Sequence, residues 1–171
     1  MFSKTDQKGF TLIELAVVVF IIGAMLFLGL PRFQESLYMD GSQKASLWIT
    51  GNIRELKKLA MEKQATLYLN IDITAGRLWK TADGMNESQK ESARKNAFNL
   101  TEGVAISDVE RPSGEKLSGG VISLGFYKDG HSDRAVIHME NNDGIYVSFM
   151  MEPFLFNIEA KEGYARFGDA L

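Results

Sequence analysis

Residues 8–15 read KGFTLIEL, and they open an apolar segment that continues from Phe10 to Leu30. Thr11 and Glu14 are the only polar side chains in that segment. A helix rises about 1.5 Å per residue, so the segment spans roughly 30 Å, which matches the hydrocarbon core of a bilayer. The sequence therefore predicts a membrane-spanning helix over residues 10–30.

The flanks of this segment predict its orientation. Residues 1–9 form a short polar leader with Lys4 and Lys8, and their weak positive charge favours the cytoplasmic side. We expect the chain after Arg32 to lie on the other side of the membrane. Residues 28–32 lack the small-residue pattern at which a secretory signal peptide is cleaved. Pro31 removes a helical hydrogen bond, so a bend is expected there.

A helical pattern continues over residues 31–64, but it is amphipathic rather than uniformly apolar. Lys57, Lys58 and Lys63 cluster near its end, where positive charge complements the helix dipole. Apolar residues recur at spacings of three and four, which predicts one buried helix face formed by Ala45, Ile49, Ile53, Leu56 and Ala60.

After Gln64 the apolar period changes to two, which predicts a β domain over residues 65–171. The polar region 82–99 is interpreted as a surface excursion with a short helix at residues 87–98. Glycine, proline and Asx turns separate the strand candidates. A helix followed by consecutive strands indicates an α+β fold in which an antiparallel sheet domain packs on the long helix. The predicted strands are residues 67–73, 77–80, 104–109, 121–127, 135–140, 145–151 and 154–158.

The composition excludes several classes of function. Cysteine is absent, which removes thiol catalysis, cysteine-ligated metals and disulfides. The formal net charge of −3 provides no basic field for a nucleic-acid backbone, so nucleic acid is not expected as a partner.

The N-terminal motif resembles that of the type IV pilin and pseudopilin superfamily. The resemblance rests on Lys8 and Gly9 before Phe10, on Glu14 four residues later, and on Pro31 near the end of the apolar segment. It implies that a prepilin peptidase cuts between Gly9 and Phe10 on the cytoplasmic side. It also implies that the new Phe10 amine is methylated and that the apolar segment is retained.

Glu14 has two interpretations. A carboxylate at membrane depth costs several kcal/mol unless it is paired or protonated. The resemblance implies pairing with the Phe10 amine of a neighbouring subunit, which would set axial register in a helical filament. The alternative is an interfacial residue that reaches the headgroups.

The β domain resembles the H-type minor pseudopilins of type II secretion, the GspH/FimT family, at residues 65–72, 76–79 and 122–130. This implies an inner-membrane subunit with a periplasmic domain, which helps to initiate or cap a filament. Its implied partners are other pseudopilins, prepilin peptidase and the inner-membrane assembly platform. The alternatives are a minor pilin of a type IV pilus and a membrane-anchored periplasmic binding protein or enzyme. The region 82–99 is longer than that family leads us to expect.

Catalytic and metal sites are weakly indicated. His131 lies in a predicted turn and His138 in a predicted strand, so no triad is evident and we expect no enzyme. Trp48 and Trp79 are interpreted as core residues. No cofactor is expected. Calcium is an alternative to turn formation for the oxygen ligands Asp129, Asp133, Asn141, Asn142 and Asp143, which lack the spacing of a calcium loop.

Peptidase processing gives the first testable prediction. Protein extracted from the membranes of cells with active prepilin peptidase should begin at a methylated Phe10, because Lys8 and Gly9 precede an apolar helix. Intact-mass and N-terminal analysis measure this directly. Recovery of an unprocessed chain would contradict the prediction.

Overall fold

The structure is a computed structural model that describes residues 12–22 and 41–167. The chain divides into two compact units, Met1–Met39 and Asp40–Leu171. In the first unit, residues 12–22 are helical and are called α1. The predicted bend at Pro31 and the predicted helix over residues 31–40 lie outside the described residues.

The second unit contains two helices and two antiparallel sheets. The helices are α2, Gly41–Lys63, and α3, Glu87–Lys95. One sheet has the strand order β3-β2-β1-β6 and the other the order β5-β4-β7-β8-β9. The α+β fold is therefore confirmed. The strands are β1 Leu67–Asp72, β2 Arg77–Ala82, β3 Phe98–Asn99, β4 Val104–Glu110, β5 Lys116–Leu117, β6 Val121–Phe126, β7 Ala135–Asn141, β8 Tyr146–Met151 and β9 Glu159–Glu162.

The core lies between α2 and the inner faces of both sheets. The predicted apolar face of α2 is buried, with Ile49, Ile53 and Ala60 fully excluded from solvent. It contacts β1, β4 and β6. Alternate residues on the strands complete a single apolar cluster. They include Leu69, Ile71, Leu78, Leu124, Phe126, Ile137, Met139 and Phe149.

A bulge in β4 changes which side chains face this core. The register with β7 shifts between Ile106 and Asp108. Ile106 and Val109 are therefore both buried in the core, and Asp108 lies opposite His138 on the other face of the sheet. Regular alternation would have placed Asp108 on the same face as Ile106.

The helix predicted at residues 87–98 is present but ends at Lys95. It begins with a capping box in which Asn86 accepts from the Gln89 amide and Gln89 accepts from the Asn86 amide. None of its residues is buried. The chain then forms β3, where Phe98 stacks on Trp48 with ring centroids 4.7 Å apart. Trp48 is partly buried against the core, whereas Trp79 is 8% exposed but lies outside the core cluster and lines the outer face of the first sheet.

The prediction of a strand at residues 154–158 is wrong. The strand that follows β8 is β9, Glu159–Glu162. The backbone between the two strands is irregular, and its carbonyl oxygens accept hydrogen bonds from the buried ammonium of Lys57. Phe154, Leu155 and Phe156 are consequently exposed. Two very short strands, β3 and β5, were not predicted because two residues carry no periodic signal.

The buried cation is Lys57, whose burial the sequence analysis did not predict. Its residue is 1% exposed, because it follows Ile49 and Ile53 on the buried face of α2. Its Nζ donates to the carbonyl oxygens of Glu152 at 2.6 Å, Leu155 at 2.5 Å and Pro153 at 3.4 Å. Burial lowers the pKa of this ammonium, and the nearby Glu152 carboxylate opposes the shift.

Removal of residues 1–38 should leave a soluble, monomeric body that unfolds cooperatively. The physical reason is that α2 and the two sheets close one apolar cluster within the second unit. Light scattering and urea unfolding measure this. Obligate aggregation, or unfolding without a cooperative transition, would contradict it.

In that fragment, Lys57→Met should lower the free energy of unfolding by about 2–4 kcal/mol. Methionine fills a similar volume but leaves the carbonyl oxygens of Glu152 and Leu155 without this donor. The matched control is Lys58→Met. The Lys58 side chain is 72% exposed, so this variant should lower the free energy of unfolding by less than about 0.5 kcal/mol. Equal urea midpoints for the two variants would contradict the role of Lys57.

The difference in unfolding free energy between the wild type and Lys57→Met should depend on pH. Because the pKa of Lys57 is lowered on folding, the folded protein binds this proton more weakly than the unfolded chain does. The wild type should therefore gain stability relative to Lys57→Met as pH rises from the lowered pKa toward about 10.4. Urea unfolding at a series of pH values measures the difference.

Candidate functional site

The apolar helix α1 is the strongest candidate for a functional surface. Residues 12–22 are all exposed, and the large apolar side chains among them range from Val18 at 46% to Leu12 at 86%. A helix that is apolar on every side is stable only in an apolar environment, which a bilayer or neighbouring helices can provide.

A membrane-spanning helix must be long as well as apolar. Among the described residues, no helix is both long enough and apolar enough to cross a membrane.

The predicted processing and register residues are only partly within the described chain. Glu14 is exposed on α1, where it is the only charged side chain between residues 12 and 22. Gly9, Phe10 and Pro31 lie outside the described residues. The cleavage junction and the pairing of Glu14 with an amine therefore stay predictions.

The structure does not bring the candidate calcium ligands together. Asp129 and Asp133 lie before β7, whereas Asp143 lies after it, and β7 separates the two turns by roughly 20 Å. Asp133 accepts from the Gly125 amide at 2.8 Å and from the Tyr127 hydroxyl at 3.0 Å, so it fixes its own loop. Across the described residues, no group of three or more potential metal ligands is found.

The two histidines have separate environments. His131 is partly exposed in the loop before β7, stacks on Tyr127 at 4.3 Å and contacts Asp129. His138 is fully buried in β7, with Nδ1 2.9 Å from Asp108 Oδ1 and Nε2 2.8 Å from the Ala165 carbonyl. Both ring nitrogens of His138 are occupied by protein acceptors, so this imidazole has no free position to act on a substrate.

The His138 network fastens the C-terminal segment to the outer face of the second sheet. The Tyr164 ring stacks on His138 at 3.8 Å, and its hydroxyl donates to Asp108 Oδ2 at 3.0 Å. Burial, reinforced by the Asp108 carboxylate, raises the pKa of Tyr164. Ser148 accepts from the Ala165 amide and donates to the Gly163 carbonyl. The sequence did not indicate that Asp108 and Tyr164 contact His138. Asp108 lies opposite His138 only because of the bulge in β4.

A cleft of about 560 Å³ lies between α3 and the outer face of the first sheet. Its hydrogen-bonding side chains already pair with other groups of the protein. Asn70 accepts from the Ser123 hydroxyl at 2.7 Å and donates to Thr81 at 2.9 Å. Arg94 reaches Asp72 at 3.5 Å and lies over the Trp79 ring at 5.6 Å.

Comparison with known proteins yields a family match and a match to a solved structure. A protein family described as the prokaryotic N-terminal methylation motif matches residues 4–30. The fold is similar to the solved structure of the minor pseudopilin EpsH from the type 2 secretion system of Vibrio cholerae, with a TM-score of 0.51. That match covers 74% of this chain and 100% of the EpsH chain at 15% sequence identity, so the likeness concerns the fold. The chain therefore combines a prokaryotic N-terminal methylation motif with a fold similar to that of this minor pseudopilin.

Proposed function

We propose that this protein is a minor pseudopilin of a type II secretion pseudopilus. It acts as a structural subunit that initiates or caps the filament, and it carries out no reaction. The observation that carries the proposal is an exposed apolar helix within a prokaryotic methylation motif, joined to a body of minor-pseudopilin fold.

The N-terminal segment would act in two stages. Prepilin peptidase first cuts after Gly9, which creates a methylated amine on Phe10 at the cytoplasmic face of the inner membrane. The inner-membrane assembly platform then moves the subunit out of the bilayer, and α1 exchanges lipid for neighbouring α1 helices. Exposed apolar side chains on all sides of α1 suit both environments.

Glu14 would fix the register of this exchange. In a helix bundle of low dielectric constant, its carboxylate attracts a neighbour's Phe10 amine far more strongly than in water. An unpaired charge there would be costly, so only the register that joins the two groups is stable.

The methylation motif is compatible with a type IV pilus as well as with secretion. The fold match to a secretion pseudopilin favours the secretion system. Loss of this chain should therefore abolish export of secreted proteins and leave surface pili unchanged. The reverse result would assign it to a type IV pilus as a minor pilin.

Glu14→Ala tests the register role. The variant should still insert and be cleaved, but its co-purification with partner subunits should weaken by more than about 100-fold, since one broken buried pair costs roughly 3–5 kcal/mol. Glu62→Ala is the matched control, because it removes a carboxylate that is 53% exposed on α2.

A subunit at the very tip of the filament has no neighbour above it whose amine Glu14 could bind. Co-purification and secretion are therefore both measured. Loss of either, with normal N-terminal processing, supports the pairing. Normal co-purification together with normal secretion would show that Glu14 is only an interfacial residue.

A further inference from the structure

Three consecutive apolar side chains protrude from the body at the loop between β8 and β9. Phe154, Leu155 and Phe156 are 78%, 60% and 48% exposed, and together we call them the apolar loop. The other exposed large apolar residues in the described part of the second unit are separated along the chain. They are Leu47, Met61, Val121 and Ile145.

The fold holds the apolar loop in this exposed position. Lys57 binds the carbonyl oxygens of Glu152, Pro153 and Leu155 from beneath, and the Ser132 amide donates to Pro153 at 3.0 Å. The backbone is therefore fixed by a buried ammonium, while the side chains point away from it. A preorganised loop loses little conformational entropy when it binds a partner.

The loop is too small to bind a partner alone. Using about 200 Å² for a phenylalanine, its three side chains expose roughly 350 Å². A stable interface buries about 800 Å² on each partner. Such a patch suits a subunit that is already tethered by another contact, because tethering raises the effective concentration of the second site. The exposed helix α1 offers that first contact.

The partner is better described as a different subunit than as a second copy. A protruding apolar loop requires an apolar pocket. The 560 Å³ cleft of this chain includes Tyr68 and Trp79, but it is also lined by the charged side chains Glu87, Lys90, Glu91 and Arg94, which an inserted apolar loop would desolvate. Lys57 also lies about 24 Å along α2 from Gly41, the first residue of that helix, so the apolar loop lies far from this end of α2.

We propose that the apolar loop inserts into an apolar pocket on the body of a neighbouring, non-identical pilin-like subunit. This inference rests on the proposed function, because α1 must first hold the two subunits in one assembly. The loop then selects which subunit becomes the neighbour.

Site-specific photocrosslinking in cells tests this in the full chain. Benzoylphenylalanine is placed in turn at Phe154, at Leu15 on α1, and at Ile145, which is 55% exposed in the turn between β7 and β8. The Phe154 probe should capture a protein that carries its own N-terminal methylation motif, identified by mass spectrometry. The Leu15 probe should capture pilin-like subunits, and the Ile145 probe should capture that neighbour at least ten-fold less.

The outcomes separate this inference from the proposed function. If the Leu15 probe captures no pilin-like chain, the proposed function fails, and with it the inference. If Leu15 captures such a chain and Phe154 captures none, only the inference fails. A Phe154 adduct with a second copy, with lipid or with an unrelated protein also overturns it.

A paired variant adds a readout of function. Phe154→Ser with Phe156→Ser should reduce secretion and capture of the neighbour by the Leu15 probe at least ten-fold each, with the melting temperature of the body unchanged. Val121→Ser with Ile145→Ser removes comparable exposed apolar side chains and should change neither measurement. Equal secretion by the two double variants would overturn the proposal.

Discussion

Burial of one face of α2 is the constraint on which the body depends. Ile49, Ile53 and Leu56 are excluded from solvent by strands that belong to two different sheets. Neither sheet closes on itself, so each needs the helix to cover part of its inner face. Small helix residues such as Ala45 and Ala60 allow close approach at both ends of this face. One helix therefore joins the sheets into a single core.

The same helix face carries Lys57, which connects the core to the surface. A buried ammonium is costly to desolvate, and its hydrogen bonds to three carbonyl oxygens offset that cost. Those carbonyl oxygens belong to the backbone beneath the apolar loop. The interior of the protein thus specifies the conformation of a surface loop whose own side chains make little contact with the core.

Apolar periodicity in the sequence was sufficient to predict the helices and strands whose buried side chains follow a regular spacing. The face of α2 and the alternating apolar residues of β1 were predictable because burial on one side enforces the period. The N-terminal motif was recognisable because its residues are adjacent in sequence. Residues 154–158 were predicted wrongly because an apolar run normally indicates burial, whereas here Lys57, 98 residues before Leu155, binds the backbone and leaves the side chains exposed. The spacing of Ile49, Ile53 and Lys57 was the available signal, but Asp108 depends on a bulge that no period reveals.

The edge strand β9 has a consequence for subunits at high local concentration. Glu159, Lys161 and Glu162 are three of its four residues, and a free edge of backbone amides and carbonyls can otherwise recruit a strand from another molecule. A short, charged edge disfavours such pairing. In the proposed role as a filament subunit, this edge would keep bodies that are crowded in one membrane from pairing through their sheets before assembly.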